Sequence, residues 1–192
     1  AAELCQRLND FQKALACYDR AKGFFEENNR PLDVATCEKF TGDILEEEDR
    51  FEDALEHYDR AEHIFKEHNL PVEAAQCVMK KAGIYLVLQK FDTAMELYDE
   101  ARRFFEEHKM LIELARCDAG KGEIFCHLRK FEESLAFYDK AIEVFNDNKQ
   151  LVEVALCTSA KATVYRNMRR FDRAIELYER AGNIFKEKGH SV

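Results

Sequence analysis

Four cysteines, Cys37, Cys77, Cys117 and Cys157, stand forty residues apart, and Cys126 is followed directly by His127. Thiolates bind structural zinc and thiolate–imidazole pairs attack carbonyls, so these residues are the first to weigh for chemistry. Neither arrangement meets the requirement. Spaced one per repeat, the four thiols are too far apart to close on one tetrahedral ion, and no C-x2-C pair exists. Small buried core residues are the expectation there instead. Neighbours in sequence on a helix point apart, which separates Cys126 from His127. The histidines form no H-E-x-x-H or i, i+4 pair, and His57, His63, His68 and His108 are expected to be solvated or partly packed. No phosphate-cradling glycine loop or nucleophile elbow occurs, and the carboxylates read as the polar halves of amphipathic helices. The sequence therefore predicts no catalysis, no cofactor and no metal.

The elements that position these side chains form an array of one forty-residue unit. Phe11, Phe51, Phe91, Phe131 and Phe171 open successive copies, with Tyr18, Tyr58, Tyr98, Tyr138 and Tyr178 seven residues later. Ala21, Ala61, Ala101, Ala141 and Ala181 follow, then Phe25, Phe65, Phe105, Phe145 and Phe185. Self-similarity at this period signals a solenoid, in which stacked repeats touch their neighbours and offer one long face for holding another molecule. Over 51–68 the apolar residues step by three and four, which predicts an amphipathic helix, and 73–89 carries a second. Small residues recur seven apart in the second helix, as Ala35 and Gly42, Ala75 and Ala82, Ala115 and Gly122, Ala155 and Ala162, letting a neighbour approach closely. Pro31 and Pro71 suit the first turn of a helix. The aromatic ladder falls on the buried stripe and reads as core.

Composition narrows the partners. Net charge is −9, made of −5 over residues 1–50, −4 over 51–130 and 0 over 131–192, a poor surface for nucleic acid. The acidic turn Glu46–Asp49 and the basic one holding Arg166, Arg169 and Arg170 occupy one repeat position, a polarity that would orient an extended ligand. Seven cysteines, an odd number, fit free thiols in a reducing cytoplasm better than a disulfide framework. No apolar run reaches membrane-spanning length, and Ala1–Asp10 lacks the features of a signal peptide. Aligned with 41–50, residues 1–10 look like the second half of a first helix, which suggests a fragment of a longer array.

The recurring pattern small–x11–Ala–hydrophobic–x2–Tyr–x2–Ala, as in Gly42, Ala54, Leu55, Tyr58 and Ala61, resembles the tetratricopeptide repeat (TPR) family along the whole chain. Two features depart from the family: the unit is forty residues where thirty-four is standard, and Ser134 replaces the usual alanine. The lengthening is similar to the extended repeats of kinesin light chains, of spindle-orientation adaptors that bind G-protein subunits, and of arrays attached to bacterial regulators and caspase-like proteases, and does not choose among them. The resemblance implies an all-α, right-handed superhelical α-solenoid of helix-turn-helix repeats, a single array over 1–192 with units 1–30 (first helix truncated), 31–70, 71–110, 111–150 and 151–192.

It also implies that the helices opening each unit, which are the ones carrying the small-residue pairs, are first helices that line a concave groove. Residue-by-residue transfer then gives one row of Lys39, Met79, Ala119 and Ser159 and another of Asp43, Gly83, Glu123 and Thr163. Thr36, Gln76, Arg116 and Leu156 flank them toward the helix starts, and Glu47, Val87, His127 and Asn167 toward the ends. Lys39 followed by Asp43 disfavours the carboxylate clamp of chaperone-binding members. The small, partly apolar middle suits an amphipathic helix or extended peptide. The implied function is a non-enzymatic scaffold for a protein or peptide partner, with a regulatory peptide-sensing segment or an architectural spacer as alternatives. At the ends, Leu4, Cys5, Ala181, Ile184 and Phe185 are expected to lie partly bare and to favour end-to-end self-association.

Overall fold

Helices of one length follow from a repeat of one length. The computed structural model describes residues 2–187, with side chains from Asp10 onward. Its elements are α1 (Ala2–Glu27), α2 (Pro31–Glu47), α3 (Phe51–Glu67), α4 (Pro71–Val87), α5 (Phe91–Glu107), α6 (Leu111–His127), α7 (Phe131–Asp147), α8 (Leu151–Asn167) and α9 (Phe171–Glu187). The fold is all-α, and the described residues contain no strand. Each helix from α2 to α9 has 17 residues, about 25 Å at ~1.5 Å rise per residue. The helix expected over 73–89 runs instead over Pro71–Val87. Proline is its first residue, as suits a ring that has no N–H to leave unpaired.

What ends each helix left no glycine in the sequence. Asn29, Asp49, Asn69, Gln89, Lys109, Arg129, Lys149 and Arg169 all take the left-handed conformation, with φ between 52° and 61°. The next residue's N–H then folds back on the helix: Arg50 donates to the Leu45 carbonyl at 2.9 Å, Met110 to Phe105 at 2.8 Å and Gln150 to Phe145 at 2.8 Å. These are Schellman closures. Left-handed backbone costs an L-residue about 1–2 kcal/mol, offset by carbonyls that would otherwise lack partners.

No such turn interrupts α1. Residues 1–10 were expected to be the second half of a separate first helix, yet they run without a break into the next, giving 26 residues. Ala, Glu, Leu, Gln and Arg dominate its start, with no glycine or proline to stop it.

The chain divides into two units, Ala1–Gln89 and Lys90–Val192. In the first, α1 packs on α2, α2 on α3 and α3 on α4. Its core gathers Leu45, Tyr58, Phe65, Cys77 and Ile84. In the second, α5 through α9 pack in the same sequential way, and Tyr138, Phe145, Val154, Cys157 and Val164 form the core. The small residues do what their spacing implies. All eight are buried, and a Cβ on Gly42 would lie 2.9 Å from the Tyr58 ring. Ser134, the departure from the alanine pattern, is fully buried and donates to the Gly122 carbonyl at 2.7 Å.

Candidate functional site

The face expected to bind is accessible within each unit. In the first, Thr36 and Val87 are exposed, while Lys39, Asp43, Gln76, Met79 and Gly83 are half-buried. In the second, Arg116, Glu123, His127 and Asn167 are exposed, and Ala119, Ser159 and Thr163 half-buried. None is in the core. Neighbouring positions on the same helices, such as Cys77, Val78 and Ile84 or Cys117, Asp118 and Ile124, are buried. The 3.6-residue period thus sends the two sets to opposite sides. Val87 is 60% exposed, an apolar residue left open beside Met79 and Gly83 in helix register.

Several of these side chains already have partners. Asp43 accepts from the Tyr58 hydroxyl at 2.7 Å and pairs with Lys80 at 2.9 Å. Glu46 accepts from the same hydroxyl at 2.8 Å. Burial and these two carboxylates push the Tyr58 phenol well above its usual range. Asp43 is therefore a buttress for α3 and α4 as well as a wall of the face. In the second unit Arg116 pairs with Glu153 at 3.0 Å. Thr163 shares a hydrogen bond with the Tyr178 hydroxyl at 2.8 Å, and His127 stacks on Phe91 with centroids 5.4 Å apart. His127 and Asn167 also line a shallow pocket of about 360 Å³ with Cys126, Arg129 and Phe131. Lys80 and Glu153 were not singled out in the sequence, and Glu46 was read only as part of an acidic turn, because only packing between helices makes them partners.

Three buried carboxylates correct the view that all acidic residues are solvated: Glu62, 9% exposed and met by Lys66 at 2.5 Å and Lys81 at 2.6 Å, and two at a shared repeat position. Glu38 is 4% exposed and Asp118 1%. Glu38 is held by the Nδ1 of His57, by Lys22 at 3.4 Å and by Arg60 at 3.3 Å. Burial alone would raise its pKa, but the hydrogen bond and charge of His57, with Lys22 and Arg60, prevail and hold it at about 2. Asp118 is met by Arg102 at 3.0 Å and Lys140 at 2.8 Å. His63, His68 and His108 are exposed, whereas His57 is half-buried because of Glu38.

A second set of ion pairs repeats with the fold. Lys81 reaches Asp59 at 2.6 Å, Lys121 reaches Asp99 at 2.6 Å, and Lys161 reaches Asp139. The three lysine side chains are only 13% to 15% exposed. Their stems fill the space between successive helices while the ammonium meets the carboxylate at the rim.

The cysteine ladder is core. Cys37, Cys77, Cys117 and Cys157 are free and buried, and burial pushes the thiols of Cys77, Cys117 and Cys157 up to about 12. Among the described residues no cluster of three His, Cys, Asp or Glu is placed to hold a metal ion. In α9, Ala181 is buried at 3%, contrary to expectation, because it faces into the packed side of the α8–α9 pair. Ile184 and Phe185 are half-buried, where Phe65, Phe105 and Phe145 are buried. Phe171 and Ile175 are 58% and 56% exposed. The side chains of Leu4 and Cys5 lie outside the described residues. Among the described residues no helix is long and apolar enough to cross a membrane.

Residues 1–113 match the family model of the soluble NSF attachment protein, SNAP, and residues 113–187 match a tetratricopeptide repeat model. No curated protein matches the sequence. Similar solved structures include BtubC (BKLC) from P. vanneervenii, 20% identical with a TM-score of 0.76 over 100% of this chain and 79% of that one. Aspartyl phosphate phosphatase F from Bacillus subtilis is 15% identical with a TM-score of 0.81, over 96% of this chain and 50% of the other. A Rap protein complexed with competence and sporulation factor is 15% identical with a TM-score of 0.75, over 97% of this chain and 66% of its own. At such identities the likeness is one of fold. The repeat pattern, the helix-turn-helix units and the two sequence matches agree: this is a tetratricopeptide-repeat protein, and it belongs to the soluble NSF attachment protein family.

Proposed function

We propose that the chain is a non-enzymatic scaffold that binds a peptide or helical segment of a protein partner along the accessible face of its first-type helices. The observation that carries this reading is the open apolar stretch in the first unit, where Met79 is half-buried and Val87 is 60% exposed beside Gly83. An amphipathic segment laying its apolar side there gains area burial at ~25 cal/mol per Å². Lys39 and Gln76 border the stretch and supply polar contacts for orientation. In the second unit Arg116, Glu123 and Asn167 give a more polar counterpart. The Rap structure, of the same fold, is that of a complex with competence and sporulation factor, which supports a ligand-holding role. The net charge of −9 disfavours nucleic acid, and buried free thiols suit a reducing compartment such as the cytoplasm.

The test compares partners retained by the wild-type chain and by Met79→Glu. A charge at that position should reduce retention about tenfold or more, the loss of one apolar anchor, with an unchanged circular dichroism spectrum. His63→Ala, on the exposed side of α3, should retain the wild-type set. If His63→Ala removes the partners and Met79→Glu does not, binding is on the other face and the reading fails.

A further inference from the structure

The lysine ladder has one gap. Repeat position 81, 121 and 161 is lysine, but the residue at the corresponding place in α2 is Thr41. Its carboxylate counterpart is present: Asp19 stands where Asp59, Asp99 and Asp139 stand in later repeats. Among the described residues Asp19 meets only Lys22 of its own helix, at 3.9 Å, and its side chain is 81% exposed. Beside it lies a cavity of about 350 Å³, whose wall includes Leu15, Asp19, Thr41, Asp53, Glu56 and His57.

The repeat around Lys121 shows that the gap is a missing ammonium and not a rearranged one. There Arg102 stands at the Lys22 position and binds the buried Asp118, as Lys22 binds the buried Glu38. Lys140 stands where Arg60 does and makes the equivalent pair. Even with that full set in place, Lys121 still enters between the helices, 2.6 Å from Asp99 and 5.4 Å from the centroid of the Phe137 ring. In α3 the Phe137 position is His57. The first repeat thus keeps the carboxylate, the ring and the two flanking cations, and replaces the four-methylene stem and its charge by a threonine.

We propose that this cavity receives a primary ammonium on an alkyl stem, the side chain of a lysine from a partner protein, in the place that Lys81, Lys121 and Lys161 occupy elsewhere. The stem lies against Leu15 and the His57 ring, and the ammonium donates to Asp19, with Glu56 on the same wall. Lys22 and Arg50 also line the cavity; Lys22 lies nearer Glu38, at 3.4 Å, than Asp19, at 3.9 Å, and Arg50 pairs with Asp53 at 2.5 Å. The site is separate from the first-helix face, so it stands or falls independently of the groove reading.

The test is an amide chemical-shift titration of the chain with n-butylammonium, with n-butanol as the neutral control, and with acetyl-Gly-Lys-Gly-amide against 1,5-diaminopentane. Butylammonium should give saturable shifts at Asp19, Lys22, Thr41 and His57 that butanol does not give, and the lysine peptide should bind more tightly than the free diamine. Asp19→Asn should weaken binding at least about fivefold, the scale of one charge-assisted hydrogen bond. Thr41→Lys, which supplies the chain's own ammonium, should abolish the response and leave the circular dichroism unchanged. Equal shifts from butanol, or a Thr41→Lys protein that still responds, would overturn the proposal. Tighter binding of the diamine than of the peptide would overturn its assignment to a partner's lysine.

Discussion

Glu38 in α2 and Asp118 in α6 occupy one position in repeats eighty residues apart, and each is a buried carboxylate clasped by a cation from the helix before and one from the helix after. The intervening repeat has Val78 at that place, and the repeat after Asp118 has Thr158, both 2% exposed. Thr158 satisfies its hydroxyl within its own helix by donating to the Val154 carbonyl at 2.7 Å. The helices therefore recur every forty residues, but a carboxylate at this position is present only in the two repeats eighty apart. The clasps differ too: Glu38 has a third partner in His57, where Asp118 has Phe137 at the matching position. The backbone and the small residues make the repeat, while each polar contact between repeats needs its own matched set.

Moving the carboxylate to a repeat without its cations breaks this comparison most severely. Val78→Asp places a charge where Glu62, not a cation, stands at the Lys22 position. It should cost about 3–5 kcal/mol in urea unfolding, the scale of an uncompensated buried charge. A loss below about 1 kcal/mol would show that the site hydrates and that the presence of the carboxylate in only two repeats has no energetic meaning.

Asp118→Asn keeps the shape and removes the charge. Arg102 and Lys140 are partly exposed and regain water, so the loss should be nearer ~2 kcal/mol. An unchanged unfolding midpoint would mean that the clasp contributes nothing beyond volume.

The smallest effect separates the two clasps by pH. The Glu38 carboxyl titrates at about 2 in the folded chain against an ordinary 4.5. A depressed carboxylate contributes stability in full above the unfolded value, and this contribution is lost as pH falls from 4.5 toward 2. The stability gap between wild type and Glu38→Gln should therefore be present above pH 4.5 and close as pH approaches 2. A gap that stays constant across that window would remove His57, Lys22 and Arg60 as its cause.

The architecture was legible because it is periodic. Phe51, Tyr58, Ala61 and Phe65 announce a buried stripe, and copies in register make the reading secure. The turns were legible in place but not in geometry, since Asp49, Gln89 and Arg129 in left-handed backbone carry no glycine to mark them. Of the candidate face, transfer from the repeat family named positions that lie outside the core. It did not show that Asp43 is tied to Tyr58 and Lys80 or Arg116 to Glu153, because those bonds join residues 15 to 37 apart in sequence. Glu38 and Asp118 escaped for a related reason. A carboxylate on a polar-looking helix is read as solvated unless the cations that enclose it, one repeat away, are recognised at the same time.

The ladder of buried cysteines has a consequence for watching the molecule open. Each of Cys37, Cys77, Cys117 and Cys157 is buried at the same position of its own repeat, protonated and shielded at neutral pH. Alkylation of any one must wait until its repeat parts from its neighbour, so the rate at each thiol times that local event. Mass spectrometry of a single labelling reaction then yields four clocks along one chain. Cys17, exposed on α1, reacts without waiting and sets their common zero.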